Sequence, residues 1–152
     1  KDYVHIMTPY LILDDEMVNA LIFAAKRGVE VIIIMPHIPD KKYAFFLAHT
    51  YYEELLSGGV RICEFTPGFV HAKVFTSDDE KAVVGTINMD FRSLYLHFEC
   101  GTLFYRNSLV ADVKRDCLQT IEASREIQLL DTRQGFLGSL FCAVLRVLAP
   151  LL

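Results

Sequence analysis

The stretch His71-Ala72-Lys73-Val74-Phe75-Thr76-Ser77-Asp78-Asp79-Glu80-Lys81-Ala82-Val83-Val84-Gly85-Thr86-Ile87-Asn88 decides how this chain is read. Two runs rich in β-branched residues flank an acidic turn, Ser77 to Glu80, and predict a hairpin of strands Val70 to Thr76 and Lys81 to Thr86. Side chains alternate faces along a strand. His71 and Lys73 therefore share one face, and Ala72 and Val74 take the other. A histidine beside a fixed cation is poor core design and makes sense around a bound anion. A turn at Asp78-Asp79 sets His71 opposite Thr86, and a turn at Asp79-Glu80 sets it opposite Asn88. Opposed residues share a face, so either register gathers His71, Lys73, Thr86 and Asn88. A slip of one residue would flip the second strand and scatter them. Gly85 leaves room for a close approach of backbone or ligand.

An imidazole, an ammonium, a hydroxyl and an amide on one face can supply a nucleophile or acid, a charge, and donors for phosphate oxygens. Asp78 has the wrong parity for that face and reads as a structural turn residue, bonding local backbone. Glu99, on the next strand, is placed to orient an imidazole by accepting its Nδ1–H.

Before the hairpin, strand and helix signals alternate. Val4 to Met7 is a short apolar run that ends at Thr8-Pro9. Asp14 reads as an N-cap, with Asp15 and Glu16 in a first turn that favours acids. Met17, Ala20, Leu21, Ala24 and Ala25 recur at helical spacing, and Lys26-Arg27-Gly28 marks the helix end. Val29 to Met35 is almost wholly apolar, as expected of a parallel strand buried on both faces. Asp40 is expected to cap a second helix running to Ser57 before Gly58-Gly59, and Val60 to Phe65 reads as a strand. After the hairpin come a strand over Phe98 to Tyr105 and a helix from Asn107 or Ser108 to about Gln128. The order β-α-β-α-β then β-β-β-α predicts an α/β fold, an α/β/α layered domain with a mixed β-sheet. The catalytic domain is expected over residues 1–134.

Residues 135–152 form a separate apolar segment, read as a C-terminal helix that either lies in a membrane interface or packs on protein. Gly135, Ser139, Cys142 and Arg146 make a narrow small-and-polar stripe along it. The whole chain has 152 residues, 53% of them apolar, enough to bury a sizeable core. A formal charge of −4 weighs against a protein that coats nucleic acid, without excluding one basic pocket. Cys63, Cys100, Cys117 and Cys142 form no C-x-x-C pair, so they read as buried reduced thiols in a cytosol-facing protein, with no metal site and no cofactor. The chain starts at Lys1 without a Met, and a preceding N-terminal part is expected.

The spacing His71-x-Lys73-x4-Asp78-x6-Gly85-Thr86-x-Asn88 resembles the H-x-K-x4-D-x6-G-[S/T]-x-N motif of the phospholipase D superfamily. Asn88-Met89-Asp90-Phe91-Arg92-Ser93 and Leu96-His97-Phe98-Glu99 narrow the resemblance to bacterial cardiolipin synthase. Thr8-Pro9-Tyr10, Tyr51 to Leu56, Pro67 to Lys73 and Ala149 to Leu152 do the same. The likeness covers nearly the whole chain, as the C-terminal half of such an enzyme. It implies metal-independent phosphatidyl transfer, in which two phosphatidylglycerols give cardiolipin and glycerol at a cytosol-facing membrane. Two H-x-K motifs then share the work, one histidine forming a phosphohistidine and the other acting as acid and base. By resemblance His71 takes the acid–base role, and Lys73, Thr86 and Asn88 bind phosphate. Glu99 orients the histidine and Asp78 is the motif aspartate. This chain carries one such motif. The second comes either from sequence outside these residues or from a second copy in a homodimer. Two rival readings share the motif: a phospholipase D-type phosphodiesterase or nuclease that uses water as acceptor, and a non-catalytic membrane-binding fragment.

Overall fold

The computed structural model describes residues 1–132 and 136–149. Strand β1 (Tyr3–Met7) is followed by a short β2 (Leu11–Ile12) and helix α1 (Asp15–Lys26). Strand β3 (Glu30–Pro36), helix α2 (Lys42–Ser57) and strand β4 (Arg61–Phe65) complete the alternating half. The hairpin is β5 (Val74–Ser77) and β6 (Lys81–Gly85), followed by a short β7 (Met89–Asp90) and a π-helical turn, Arg92–Leu96. Then come β8 (Gly101–Tyr105), α3 (Ser108–Glu122), β9 (Ser124–Glu126) and α4 (Phe136–Leu148).

Seven strands form one mixed sheet in the order β8-β6-β5-β1-β3-β4-β9. β1, β3 and β4 run parallel, as the apolar run in β3 requires, and the outer strands are antiparallel. Ile32, Ile33 and Ile34 are at most 2% exposed, and burying each contributes about 1.5–3 kcal/mol. Alternation along the strands splits the core in two. Ile6, Val31, Ile33 and Ile62 pack under α1 and α2, while Met7, Ile32, Ile34 and Cys63 pack under α3 with Cys117. The expected α/β/α layering follows from these two apolar faces.

Several local expectations are met by geometry. Asp14 caps α1, accepting the Met17 N–H at 2.7 Å. Asn107 caps α3 through the Leu109 N–H at 3.0 Å. Gly59 ends α2 with φ +93°, a conformation that favours glycine.

Others are corrected. Asp40 does not cap α2: Lys41 holds the cap position without a side-chain bond, and the Asp40 carboxylate accepts the Tyr10 hydroxyl at 2.6 Å. The last long helix stops at Glu122, because the chain turns to add β9 antiparallel to the β4 edge. Only Cys63 and Cys117 are buried, burial pushing their thiols up to about 11 and about 12, whereas Cys100 is exposed and Cys142 half-buried.

The expected helix over 135–152 is described from Phe136 to Leu148, while Gly135 and residues 150–152 lie outside the described residues. Arg146, one residue of the expected polar stripe, turns towards the protein. Arg146 pairs with Glu54 at 2.8 Å and lies 4.5 Å above the Tyr51 ring, both on α2. Leu140, Phe141, Val144 and Val147 are exposed on the outer side. Among the described residues no helix is long and apolar enough to cross a membrane.

Candidate active site

The hairpin takes neither expected register. Val74 opposes Val84 and Ser77 opposes Lys81, across a three-residue loop of Asp78, Asp79 and Glu80. Asp78 and Asp79 both sit at φ +56°, which Asp tolerates better than most residues. The extra loop residue shifts the parity. Simple cross-strand opposition would set Thr86 against Ala72, on the wrong face. What gathers the residues is the departure of the chain from the ladder beyond Gly85. The Thr86 N–H donates to the Cys100 carbonyl at 2.9 Å, and the Cys100 N–H donates to Thr86 Oγ1 at 3.0 Å.

Residues 70–73 form no ladder of their own, yet they keep strand-like alternation. Val70 and Ala72 pack on the core under α3. His71 is exposed, and the Lys73 Nζ lies 2.9 Å from its Nδ1 and 2.7 Å from its carbonyl oxygen. The same Nζ is 3.2 Å from Nε2, so the ammonium lies against the ring within reach of both nitrogens. Burial, then the Lys73 charge, hold the His71 imidazole below its ordinary value. Burial likewise lowers Lys73, against the opposing pull of Glu99, Asp40 and Asp90.

Glu99 connects this pair to the rest of the motif. Its carboxylate accepts a short hydrogen bond from the Thr86 hydroxyl, which with Ser93 holds it below the usual carboxylate range. It bonds Thr86 and Ser93 rather than the His71 ring. Asn88 donates from Nδ2 to Ser93 Oγ at 3.1 Å, and its Oδ1 is buried with no hydrogen-bond partner. Asp90 accepts the Ser93 N–H at 2.7 Å and so fixes the turn that follows the motif.

Asp78 lies apart from this cluster. Its carboxylate accepts the backbone N–H of Asp2 at 2.9 Å and of Tyr3 at 3.1 Å, tying the hairpin tip to the start of β1. It bonds distant backbone as well as shaping its own turn. Thr86, Asn88, Ser93 and Glu99 are thus hydrogen-bonded together, the Glu99 charge acts on Lys73 beside His71, and Asp78 is left as a brace.

Three features escaped the sequence reading. Thr8 Oγ1 donates to the Tyr10 carbonyl at 2.8 Å and accepts the Met89 N–H at 3.1 Å. With the parallel pairing of Leu11–Ile12 and Met89–Asp90, it holds the end of the motif against the end of β1. Tyr10 stands edge-on to His71, ring centroids 6.2 Å apart. Beyond them, buried Glu64 meets His37 Nδ1 at 2.8 Å, His49 Nε2 at 3.0 Å and the Tyr52 hydroxyl at 3.1 Å. Burial pushes the Glu64 carboxyl up, but these contacts outweigh it and the net direction is down. An acid between Cys63 and Phe65 in an otherwise buried strand was the signal for that cluster.

A profile of the family described as cardiolipin synthase, phospholipase D-like domain, matches residues 1–121. A Streptococcus mutans protein of uncharacterized function is 56% identical over the whole chain, which corresponds to 33% of that protein. The cardiolipin synthase of Alkalihalophilus pseudofirmus is 39% identical, again over the whole chain and 30% of its own length. The chain therefore spans about a third of the length of these relatives. Among solved structures, the phosphatidylserine synthase of Haemophilus influenzae superposes with a TM-score of 0.75 at 16% identity, over 100% of this chain and 42% of that one.

Proposed function

This chain belongs to the family of cardiolipin synthase, phospholipase D-like domains, and on that premise we propose that it supplies one of two half-sites for phosphatidyl transfer between phosphatidylglycerols. The observation that carries the reading is the His71–Lys73 contact beside the Thr86–Glu99–Ser93–Asn88 network. It supports a site in which a titratable imidazole, a cation, an amide and a hydroxyl serve one phosphate.

The other half-site's histidine attacks the donor phosphorus. The P–O bond to glycerol breaks, a P–N bond forms, and the protonated His71 gives its proton to the departing glycerol oxygen. The now neutral His71 takes the proton of the acceptor's hydroxyl as that oxygen attacks phosphorus and the P–N bond breaks. Cardiolipin leaves, and both histidines return to their starting states. Lys73, Thr86 and Asn88 hold the phosphate oxygens, and Glu99 positions Thr86. The second half-site is supplied either by another segment of the natural polypeptide or by a second copy of the chain.

The test is product analysis with phosphatidylglycerol labelled in its headgroup, using the natural polypeptide that carries these residues. Cardiolipin with free labelled glycerol is expected. Phosphatidic acid with glycerol would make the protein a hydrolase that uses water as acceptor. No product from an intact preparation would leave the membrane-binding reading.

We also propose that α4 lies on the lipid surface. Its Arg146 is turned inward to Glu54 and Tyr51 while Leu140, Phe141, Val144 and Val147 face outward, the reverse of a helix exposed to water. Replacing Val144 and Val147 together with Asp is expected to weaken binding to phosphatidylglycerol vesicles at least about tenfold, as two apolar anchors are lost. Unchanged vesicle binding, read by co-sedimentation, would mean that protein covers this face.

A further inference from the structure

A second cation-bearing cavity opens beside the motif. It has a volume of about 120 Å³ and is lined by Tyr10, Lys41, Tyr43, Asn88, Asp90 and Arg92, among others. Lys41 and Arg92 make no ion pair among the described residues. Lys41 is held 5.3 Å from the centre of the Tyr10 ring, whose centroid lies 6.2 Å from that of His71. The Tyr10 hydroxyl is anchored on Asp40, which fixes the ring beside both the cation and the histidine.

Two further observations point to a ligand. Helix α2 begins at this cavity without a side-chain cap and without an acid in its first turn, so its first N–H groups add to the positive end. Among the other lining residues, Asn88 Oδ1 is buried and unpartnered, and Asp90 is a carboxylate whose Oδ1 accepts the Ser93 N–H. The cavity therefore offers cations and hydrogen-bond acceptors. A bare phosphate satisfies only the first. A glycerol phosphodiester satisfies both, with its anionic phosphate between Lys41 and Arg92 and its hydroxyls on Asn88 and Asp90.

We propose that this cavity is the acceptor subsite, where Lys41 and Arg92 hold the phosphodiester of the second glycerophospholipid and Asn88 and Asp90 orient its headgroup hydroxyls towards His71. The assignment rests on the transfer reading above. It separates the transferase from a hydrolase in physical terms: water needs no second phosphate site.

The experiment has a binding arm and a turnover arm, both on the natural polypeptide. Glycerophosphoglycerol, the deacylated headgroup, is titrated while the amide signals of Tyr43 and Ala44 are followed by NMR, with inorganic phosphate and glycerol as parallel probes. Glycerophosphoglycerol is expected to shift both signals and to bind more tightly than either probe. Lys41→Met or Arg92→Met should weaken it at least about tenfold, the usual effect of losing a charge-assisted hydrogen bond. In turnover, the same variants should lower cardiolipin formation relative to exchange with free labelled glycerol by at least about tenfold, because free glycerol carries no phosphate. Lys41→Arg and Arg92→Lys should recover part of both effects, and Lys42→Met, outside the cavity, should change neither.

Equal affinity for inorganic phosphate would reduce the cavity to a phosphate site and overturn the proposal. So would an unchanged product ratio in the Met variants. Headgroup binding that depends on Lys41 and Arg92 in a protein that makes no cardiolipin would uphold the subsite and reject the transfer reading.

Discussion

His71→Ala is expected to abolish phosphatidyl transfer, lowering turnover by about 100- to 10,000-fold, the range for loss of a positioned acid–base group. The fold should survive, because the ring is exposed and makes its close polar contact with the neighbouring Lys73. Unchanged thermal unfolding beside lost turnover is the signature to measure. Turnover at more than a tenth of the unmodified rate would remove His71 from the chemistry. The same ring offers a titration with a defined sign. Burial and then Lys73 disfavour the imidazolium, so the midpoint followed by NMR should lie below that of a free histidine. Lys73→Met removes the second of these causes and should move the midpoint up, but not fully, since burial remains. A midpoint that does not move would mean that the ammonium is not beside the ring in solution.

Gly85→Ala is expected to damage stability and activity together. A Cβ there would stand 2.2 Å from the Cys100 carbonyl oxygen and 2.6 Å from the Gly101 Cα. Both are backbone atoms of the neighbouring β8 region, so no side chain can swing away. Relief requires the strands to part, at a cost of about 1–3 kcal/mol. The movement would fall on the rung where Thr86 and Cys100 exchange hydrogen bonds, and through it on Glu99. Urea denaturation should show a lower midpoint, and cardiolipin formation should fall by more than the loss of folded protein explains. Gly68→Ala is the control, since nothing lies within 4 Å of its added methyl. A Gly85→Ala protein with the unmodified midpoint would refute the close-approach account.

The layered architecture was legible because each half carries its own signal. The unbroken apolar run of β3 implied a parallel strand, and capping residues Asp14 and Asn107 marked helix starts that the structure keeps. The site was legible as a set of residues but not as a geometry. Strand parity places His71 and Lys73 together correctly, since Val70 and Ala72 do enter the core. It fails for Thr86 and Asn88, because a three-residue loop with two residues at positive φ changes the register by one. The set is reunited by Glu99, Ser93 and a departure from the ladder, and these are tertiary contacts with no local periodicity. Asp40 and β9 were misread for the same reason. An Asp before a helix looks like a cap, yet a phenol brought from residue 10 takes its carboxylate. Helical spacing through residue 128 cannot reveal that the β4 edge is waiting for a partner.

The sheet order also has a consequence for how the chain is made. β1 lies at the centre, with β3 on one side and β5 on the other. On the ribosome its first neighbour emerges soon after it, joined by α1. Its second edge stays open until residues 74–77 have been synthesised, and an open edge is a template for pairing with another chain. The motif residues flank the strand that closes this edge, His71 and Lys73 just before it and Thr86 and Asn88 after the following strand, so the half-site is completed only once this edge of β1 is covered.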